Sequence, residues 1–282
     1  MGIANETGST HAGRMTDTTY THGHDDGVLR SHRWRTAANS AAYLLPRLRP
    51  GLDLLDVGCG PGTITCDLAE LVAPGRTVGV DASPDVLVEA RAGAAQRSLP
   101  VGFEVADLFA LPFADDSFDV VHAHQVLQHV ADPVAALVEM RRVCRPGGLV
   151  AARDADYPSF VFAPEEPDIT RAIAAYGTLT RINRAHWDAA RHLLGWAHAA
   201  GFVDVAPSAS VWCFANEEDR AWWGGLWADR FAAPASFLGG QLERHGIADR
   251  SELEAFGAGW HRWAESPDGW FAVLHGEILA TA

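Results

Sequence analysis

Three glycines fall within five residues at Gly58, Gly60 and Gly62, directly after the apolar run Leu54-Leu55-Asp56-Val57. Without Cβ atoms, such a turn lets the backbone approach a ligand closely. Cys59 sits inside the turn and Asp56 at its base. Two more acids, Asp81 and Asp107, close later apolar segments, and Asp81 follows Asp56 by 25 positions. A carboxylate at that spacing suits a pair of vicinal ribose hydroxyls, because it accepts both hydrogen bonds. Asp107 suits the exocyclic amine of an adenine. Proton-transfer candidates are His129, His124, His22, His24, His186 and His192, with Tyr20 in the polar run Tyr20–Asp26. His22 and His24 have metal-pair spacing but no third ligand nearby, so no metal site is expected.

The elements that must position these groups alternate regularly. Strands are expected at 53–57, 77–80, 101–106, 118–122 and 149–153. Helices are expected near 63–71, from Pro84 after Ser83 as N-cap, and from Pro133 to Val143. Strands alternating with helices make a parallel sheet with right-handed crossovers. Its ligand edge lies beyond the carboxyl ends of the strands. Gly58-Cys59-Gly60, Asp81-Ala82, Asp107-Leu108 and Ala123-His124-Gln125 therefore share one edge. Residues 27–49 and 169–200 read as helices, and 154–168, with three prolines, as an irregular loop. A sixth strand is expected at 203–214 and a seventh at 270–279, with a mostly helical insertion between them.

The 282 residues are 48% apolar, enough for one large α/β domain with an insertion. A net charge of −14 argues against nucleic-acid phosphate as the main partner and fits a small molecule. The four cysteines form no Cys-x-x-Cys pair and read as reduced thiols. No long apolar run and no signal-peptide core is present, so the expectation is a soluble cytoplasmic protein without membrane insertion.

Six segments in order resemble the class I S-adenosylmethionine-dependent methyltransferases. They are Asp56–Gly62, Val78–Asp81, Asp107-Leu108 with Leu111–Phe113, Ser117–Val121, His129–Pro133 and Arg145–Leu149. The content is most similar to the ubiquinone/menaquinone-biosynthesis type, a group that includes natural-product tailoring enzymes, and covers about residues 30–153. The resemblance implies a doubly wound, seven-stranded, mostly parallel sheet. Residues 1–18, rich in Gly, Ser and Thr and without an apolar period, read as a disordered tail, followed by an N-terminal helical cap over 19–50 and a catalytic domain over 51–282, with lids at 154–200 and 215–269. S-adenosylmethionine is the implied cofactor. Gly58, Cys59 and Gly60 would pass under its methionine part, with Asp56 organising the turn. Asp81 and Ala82 would hold the ribose, and Asp107 and Leu108 the adenine. Ala123, His124 and Gln125 would lie near the sulfonium. Tyr20 and His24 would face the methyl group, and Arg35 or Arg33 would pair with the methionine carboxylate. A nicotinamide dinucleotide fits poorly, because the turn reads Gly-x-Gly-x-Gly and not Gly-x-Gly-x-x-Gly.

Seven of the ten tryptophans follow residue 211. If the sixth strand is parallel, the insertion starts above the ligand edge, and Trp222, Trp223 and Trp227 with Tyr157 and Phe160 would wall a small aromatic, indole-like acceptor. Packing of the insertion onto the sheet is the alternative for these rings. Catalysis would fall to His24, Tyr20 or His129. Two other functions stay open: a quinone-precursor C-methyltransferase, and a cofactor-binding protein without transfer activity. A homodimer is compatible with the sequence.

Overall fold

The apolar run at 54–57 lies at the middle of a sheet and is buried along its whole length, which explains its lack of polar alternation. The structure is a computed structural model and describes residues 26–282. Tyr20, His22 and His24 lie outside the described residues. β1 (Leu54–Val57) pairs in parallel with β2 (Thr77–Asp81) on one side and β4 (Phe118–His124) on the other. β3 (Val101–Val105) adds to β2, and β5 (Cys144–Ala155) adds to β4, both in parallel. The strand order reverses between β1 and β4, where open α/β sheets bind ligands.

Beyond β5 the sheet departs from a purely parallel pattern. β8 (Trp270–Thr281) pairs antiparallel with β5, and β7 (Val205–Phe214) pairs antiparallel with β8. β7 therefore runs in the same sense as β5, and Phe214 ends at the ligand edge. The sheet has eight strands, where seven were expected. The extra one is β6 (Val161–Ala163), inside the segment expected to be irregular. β8 extends past the end of β5, and β6 supplies backbone partners for that overhang.

Two expected long helices are broken. The 27–49 segment forms α1 (Asp26–Arg33) and α2 (Ala37–Ser40), separated by a capping box in which Thr36 and Asn39 exchange side-chain and backbone bonds. The 169–200 segment forms α6 (Pro167–Ile182) and α7 (Leu193–Ala199). Arg184, at φ 57°, turns the chain out of α6, and the Asn183 amide donates to Gln241 Oε1 at 3.0 Å. The other crossover helices, α3 (Thr63–Val72), α4 (Pro84–Gln96) and α5 (Pro133–Val143), follow the expected pattern.

The insertion is helical throughout: α8 (Glu217–Ala232), α9 (Phe237–Arg244) and α10 (Arg250–Glu265). Its tryptophans stack on one another and on the sheet end. Phe214 and Trp223 lie 4.2 Å apart at 9°, and Trp227 and Trp260 lie 5.5 Å apart at 14°.

One face of the sheet carries a buried polar layer. The register sets Asp56 beside His122, His124 beside Arg153, and Arg153 beside Glu277. Arg153 Nε donates to Glu277 Oε1 at 3.2 Å and to Ser210 Oγ at 3.1 Å, and its guanidinium lies 4.9 Å over the Trp212 ring. Burial pushes Arg153 down to about 10, against the pull of Glu277. Glu277→Ala leaves a buried guanidinium without its carboxylate. Urea denaturation is expected to show a loss of about 3–5 kcal/mol. The double change Arg153→Met with Glu277→Leu should recover most of it, and equal losses in both variants would contradict the pairing.

Candidate active site

The glycine turn has the geometry its composition demands. Gly58, Gly60 and Gly62 sit at φ 66°, 53° and 75°, in the left-handed region. A Cβ on Gly58 would lie 2.4 Å from Val126 Cγ2, whereas one on Gly60 would meet only His32 Nδ1, at 3.7 Å. The turn is tied to β2 twice: Cys59 N–H donates to Val80 O at 3.0 Å, and Gly60 N–H donates to Asp81 Oδ2 at 3.0 Å. Asp81 Oδ1 accepts from Ser83 N–H at 2.9 Å. Ser83 opens α4 without the side-chain cap bond expected of it. Asp56 lies under the turn, accepting from Thr65 Oγ1 at 2.5 Å and paired with His122 Nδ1 at 2.8 Å. Burial pushes the Cys59 thiol well above its usual range, so it is neutral and no nucleophile.

A cavity of about 410 Å3 opens over this turn. Of the residues singled out from sequence, Arg35, Asp56, Gly58, Cys59, Gly60, Asp81, Ala82, Leu108, His124, Gln125, His129 and Tyr157 line it. Asp107 stands between the lining residues Ala106 and Leu108, and its carboxylate accepts from Phe109 N–H at 2.9 Å. Ala123 is wholly buried in the core on the other face of β4, so its side chain takes no part in the cavity wall. Arg33 is committed elsewhere, in a two-point ion pair with Glu89 at 2.6 and 2.9 Å.

The aromatic lid needs a correction. Phe160, Trp222, Trp223 and Trp227 are not among the residues that line the cavity; Trp223 and Trp227 belong to the hydrophobic core that joins the insertion to the sheet, and Phe160 and Trp222 pack against it. Tyr157 alone of that group reaches the wall, with Phe160 and Tyr176 packed behind it at 4.9 and 4.8 Å. His186 packs against Trp196, and His192 pairs with Asp188, both away from the cavity.

Sequence reading missed His32 and Arg230, which also line the cavity. Arg230 is buried on α8, donates to Ser31 Oγ at 2.8 Å and lies 4.9 Å over the Trp227 ring. One signal pointed to it: a charge that continues the helical stripe Trp223, Trp227.

Gln125 organises the β4 end of the cavity. It is left-handed at φ 54°, accepts from Arg35 Nη2 at 2.7 Å, and its amide lies 2.9 Å from His275 Nε2. A non-glycine residue in this region stores strain that the surroundings must hold. Two of the cavity histidines, His124 and His129, are held neutral. Burial and then the Arg35 charge lower His124 well below its usual value, and burial with Arg35 and Arg230 lowers His129 to about 3. His129 Nε2 sits 3.0 Å from the Gln128 amide, which suits a fixed neutral wall better than a base working near neutrality. Gln128 N–H donates to Asp154 Oδ1 at 3.0 Å, and burial raises Asp154 from 3.8 to about 7.

The family model described as a methyltransferase domain matches residues 48–191. An uncharacterized methyltransferase of Schizosaccharomyces pombe is 34% identical over 269 residues, spanning 92% of this chain and 95% of that one. The chain belongs to the class I S-adenosylmethionine-dependent methyltransferases. The ubiquinone/menaquinone biosynthesis C-methyltransferase of Bdellovibrio bacteriovorus is 39% identical over 102 residues, 36% of this chain and 43% of that one. The YcgJ protein of Bacillus subtilis shares the fold, with a TM-score of 0.56 over 85% of this chain and 97% of that one at 18% identity.

S-adenosylmethionine is the cofactor of this methyltransferase, and the edge fits it. Gly58 and Gly60 leave the backbone of the turn open beside a carboxylate on β2, and the apolar Leu108 and Val86 line the same cavity. Among the described residues no cluster of three or more His, Cys, Asp or Glu is arranged to hold a metal ion. No helix among them is long and apolar enough to cross a membrane.

Two predictions follow from these contacts. Asp81→Ala removes a charged acceptor that is worth about 1.5–3 kcal/mol per hydrogen bond. Calorimetry should show S-adenosylhomocysteine binding weakened roughly 10- to 150-fold. A change under twofold would remove Asp81 from the cofactor site. For Asp154, the proton is bound more tightly in the folded state, so its stabilisation is full below the unfolded carboxyl range and is lost as pH rises to about 7. Measured by urea titration against Asp154→Asn, the native chain should lose stability across that interval. Parallel curves for the two proteins would contradict the raised carboxyl.

Proposed function

We propose that the acceptor of this methyltransferase is a small molecule with an aromatic or otherwise electron-rich ring. Tyr157 supports this reading. It is the ring that the cavity wall presents beyond the glycine turn, and the lid core of Tyr176, Phe160 and Trp227 holds it in place. The tryptophans thus act through Tyr157 and not as the walls themselves. A cavity of about 410 Å3 lies toward the small end of ligand sites, which run from ~300 to 1,000 Å3. Cofactor and acceptor share it, so the acceptor is compact.

When bound, S-adenosylmethionine supplies an electrophilic methyl group on a sulfonium. The chain's own contribution is placement and dryness. The turn and Asp81 fix the cofactor end. Tyr157 and the β4 terminus hold the acceptor at the ~3–3.5 Å approach that in-line displacement requires. Tyr157, His129 and Val130 form wall that keeps solvent away from the reacting centre. No covalent intermediate with the chain is needed. A role in secondary metabolism, in the cytoplasm, is part of the same reading, as is closure of the cavity by the segment carrying Tyr20 and His24.

Purified protein incubated with methyl-labelled cofactor and a panel of indoles, phenols and quinols tests it. Label should enter indoles or phenols, with one S-adenosylhomocysteine formed per methyl transferred. Label confined to quinols would favour quinone-precursor methylation instead. Tyr157→Leu should raise KM for ring acceptors about 2- to 10-fold, the range of one ring contact, and leave cofactor affinity unchanged.

A further inference from the structure

A run of hydrogen bonds crosses from the N-terminal cap to β8 with its direction fixed at every step. A guanidinium only donates, so the Gln125 atom that meets Arg35 Nη2 at 2.7 Å is the amide oxygen. The other end of the amide is then an N–H donor, and it faces His275 Nε2 at 2.9 Å. That nitrogen has to offer a lone pair, which puts the ring proton on Nδ1, where Val273 O accepts it at 3.2 Å. Burial, and then the Arg153 and Arg35 charges, hold His275 well below its usual value, in keeping with a neutral ring. The ring is wholly buried, with Trp212 packed on it at 4.2 Å. The backbone of Gln125 is fixed as well, because its N–H donates to Arg153 O at 2.7 Å.

Resting on the cofactor reading of this cavity, we propose that His275 is a positioning residue: it accepts from the Gln125 amide, keeps Oε1 turned toward the cap, and so holds the Arg35 guanidinium at the cavity wall. Arg35 and Gln125 line the cavity and His275 does not, so His275 acts through them. A ring protonated on Nε2 would set a donor against a donor. The amide would then turn over and present its own N–H groups to the guanidinium.

The placement of Arg35 matters through its charge. Arg35 is among the cations that lower both His124 and His129, so its field reaches both cavity residues. Arg33, the neighbouring cation of the cap, is paired with Glu89. S-adenosylmethionine and S-adenosylhomocysteine both carry an amino-acid carboxylate, which a guanidinium held at the wall attracts. Trp212 reinforces the same junction: its Nε1 donates to Asn39 O in the cap at 2.7 Å, and Arg35 Cζ lies 5.9 Å over its ring. A residue of the last strand thus sets where the cap delivers its charge.

The test compares two ligands on the full chain by calorimetry: S-adenosylhomocysteine, and methylthioadenosine, a nucleoside thioether without the carboxylate. A native chain that binds neither would overturn the cofactor reading and this proposal together; with native binding in hand, the variants test His275 alone. His275→Met keeps the bulk and removes the acceptor. It should weaken S-adenosylhomocysteine about 2- to 10-fold, the net worth of one hydrogen bond, and leave methylthioadenosine unchanged. His275→Gln, whose amide oxygen can replace Nε2, should recover most of the loss. Gln125→Met, at a half-buried position, keeps the test open if the buried change unfolds the chain. It should show the same selective loss, and adding His275→Met to it should cost nothing more. Equal weakening of both ligands, an unchanged S-adenosylhomocysteine affinity, or a further loss in the double variant would overturn the proposal.

Discussion

The active edge depends on one short stretch of backbone that L side chains avoid. With Gly58, Gly60 and Gly62 all left-handed, the chain leaves β1, passes under the cavity and enters α3 within a few residues. The Gly60 N–H then meets the Asp81 carboxylate from the neighbouring strand. With the Cys59 N–H to Val80 O bond, it joins the loops that follow β1 and β2. Both loops exist where they do because β1 and β2 are parallel neighbours, so their carboxyl ends lie side by side.

A second constraint comes from the face of the sheet below the N-terminal cap. Asp56, His122, His124, Arg153, Glu277 and His275 are buried there in adjacent registers. Burying charge is costly unless it is paired, and the layer answers with Arg153–Glu277 and Asp56–His122. The histidines nearest the cavity are held neutral by burial and by surrounding cations. The layer keeps the His124 imidazole at the cavity wall uncharged, and Gln125 connects its His275 to Arg35 in the cap.

Much of this was legible in the amino-acid order. The glycine turn, Asp81 and the alternation up to β5 rest on local rules of turn conformation, capping and strand period, and the structure follows them closely. What was not legible depends on distant partners. β6 forms because β8 overhangs β5, and no local pattern announces an overhang. α2 is cut from α1 by Thr36 and Asn39, a capping box within a sequence that is otherwise helical in period. The tryptophans were the costliest ambiguity. Topology correctly put their segment above the ligand edge, but ring composition alone does not distinguish a wall from a core. Stacking of Trp223 on Phe214 and of Trp227 on Trp260 makes them core, and leaves Tyr157 to face the cavity.

A crystal structure with S-adenosylhomocysteine bound tests the central claim most directly. The account predicts the ribose hydroxyls on Asp81, the adenine beside Leu108, the methionine part over Gly58 and Gly60, and the sulfur facing the end of the cavity formed by His124 and Tyr157. Clear density for the ligand away from the glycine turn, or a turn occupied by side chains with the ligand excluded, would contradict it.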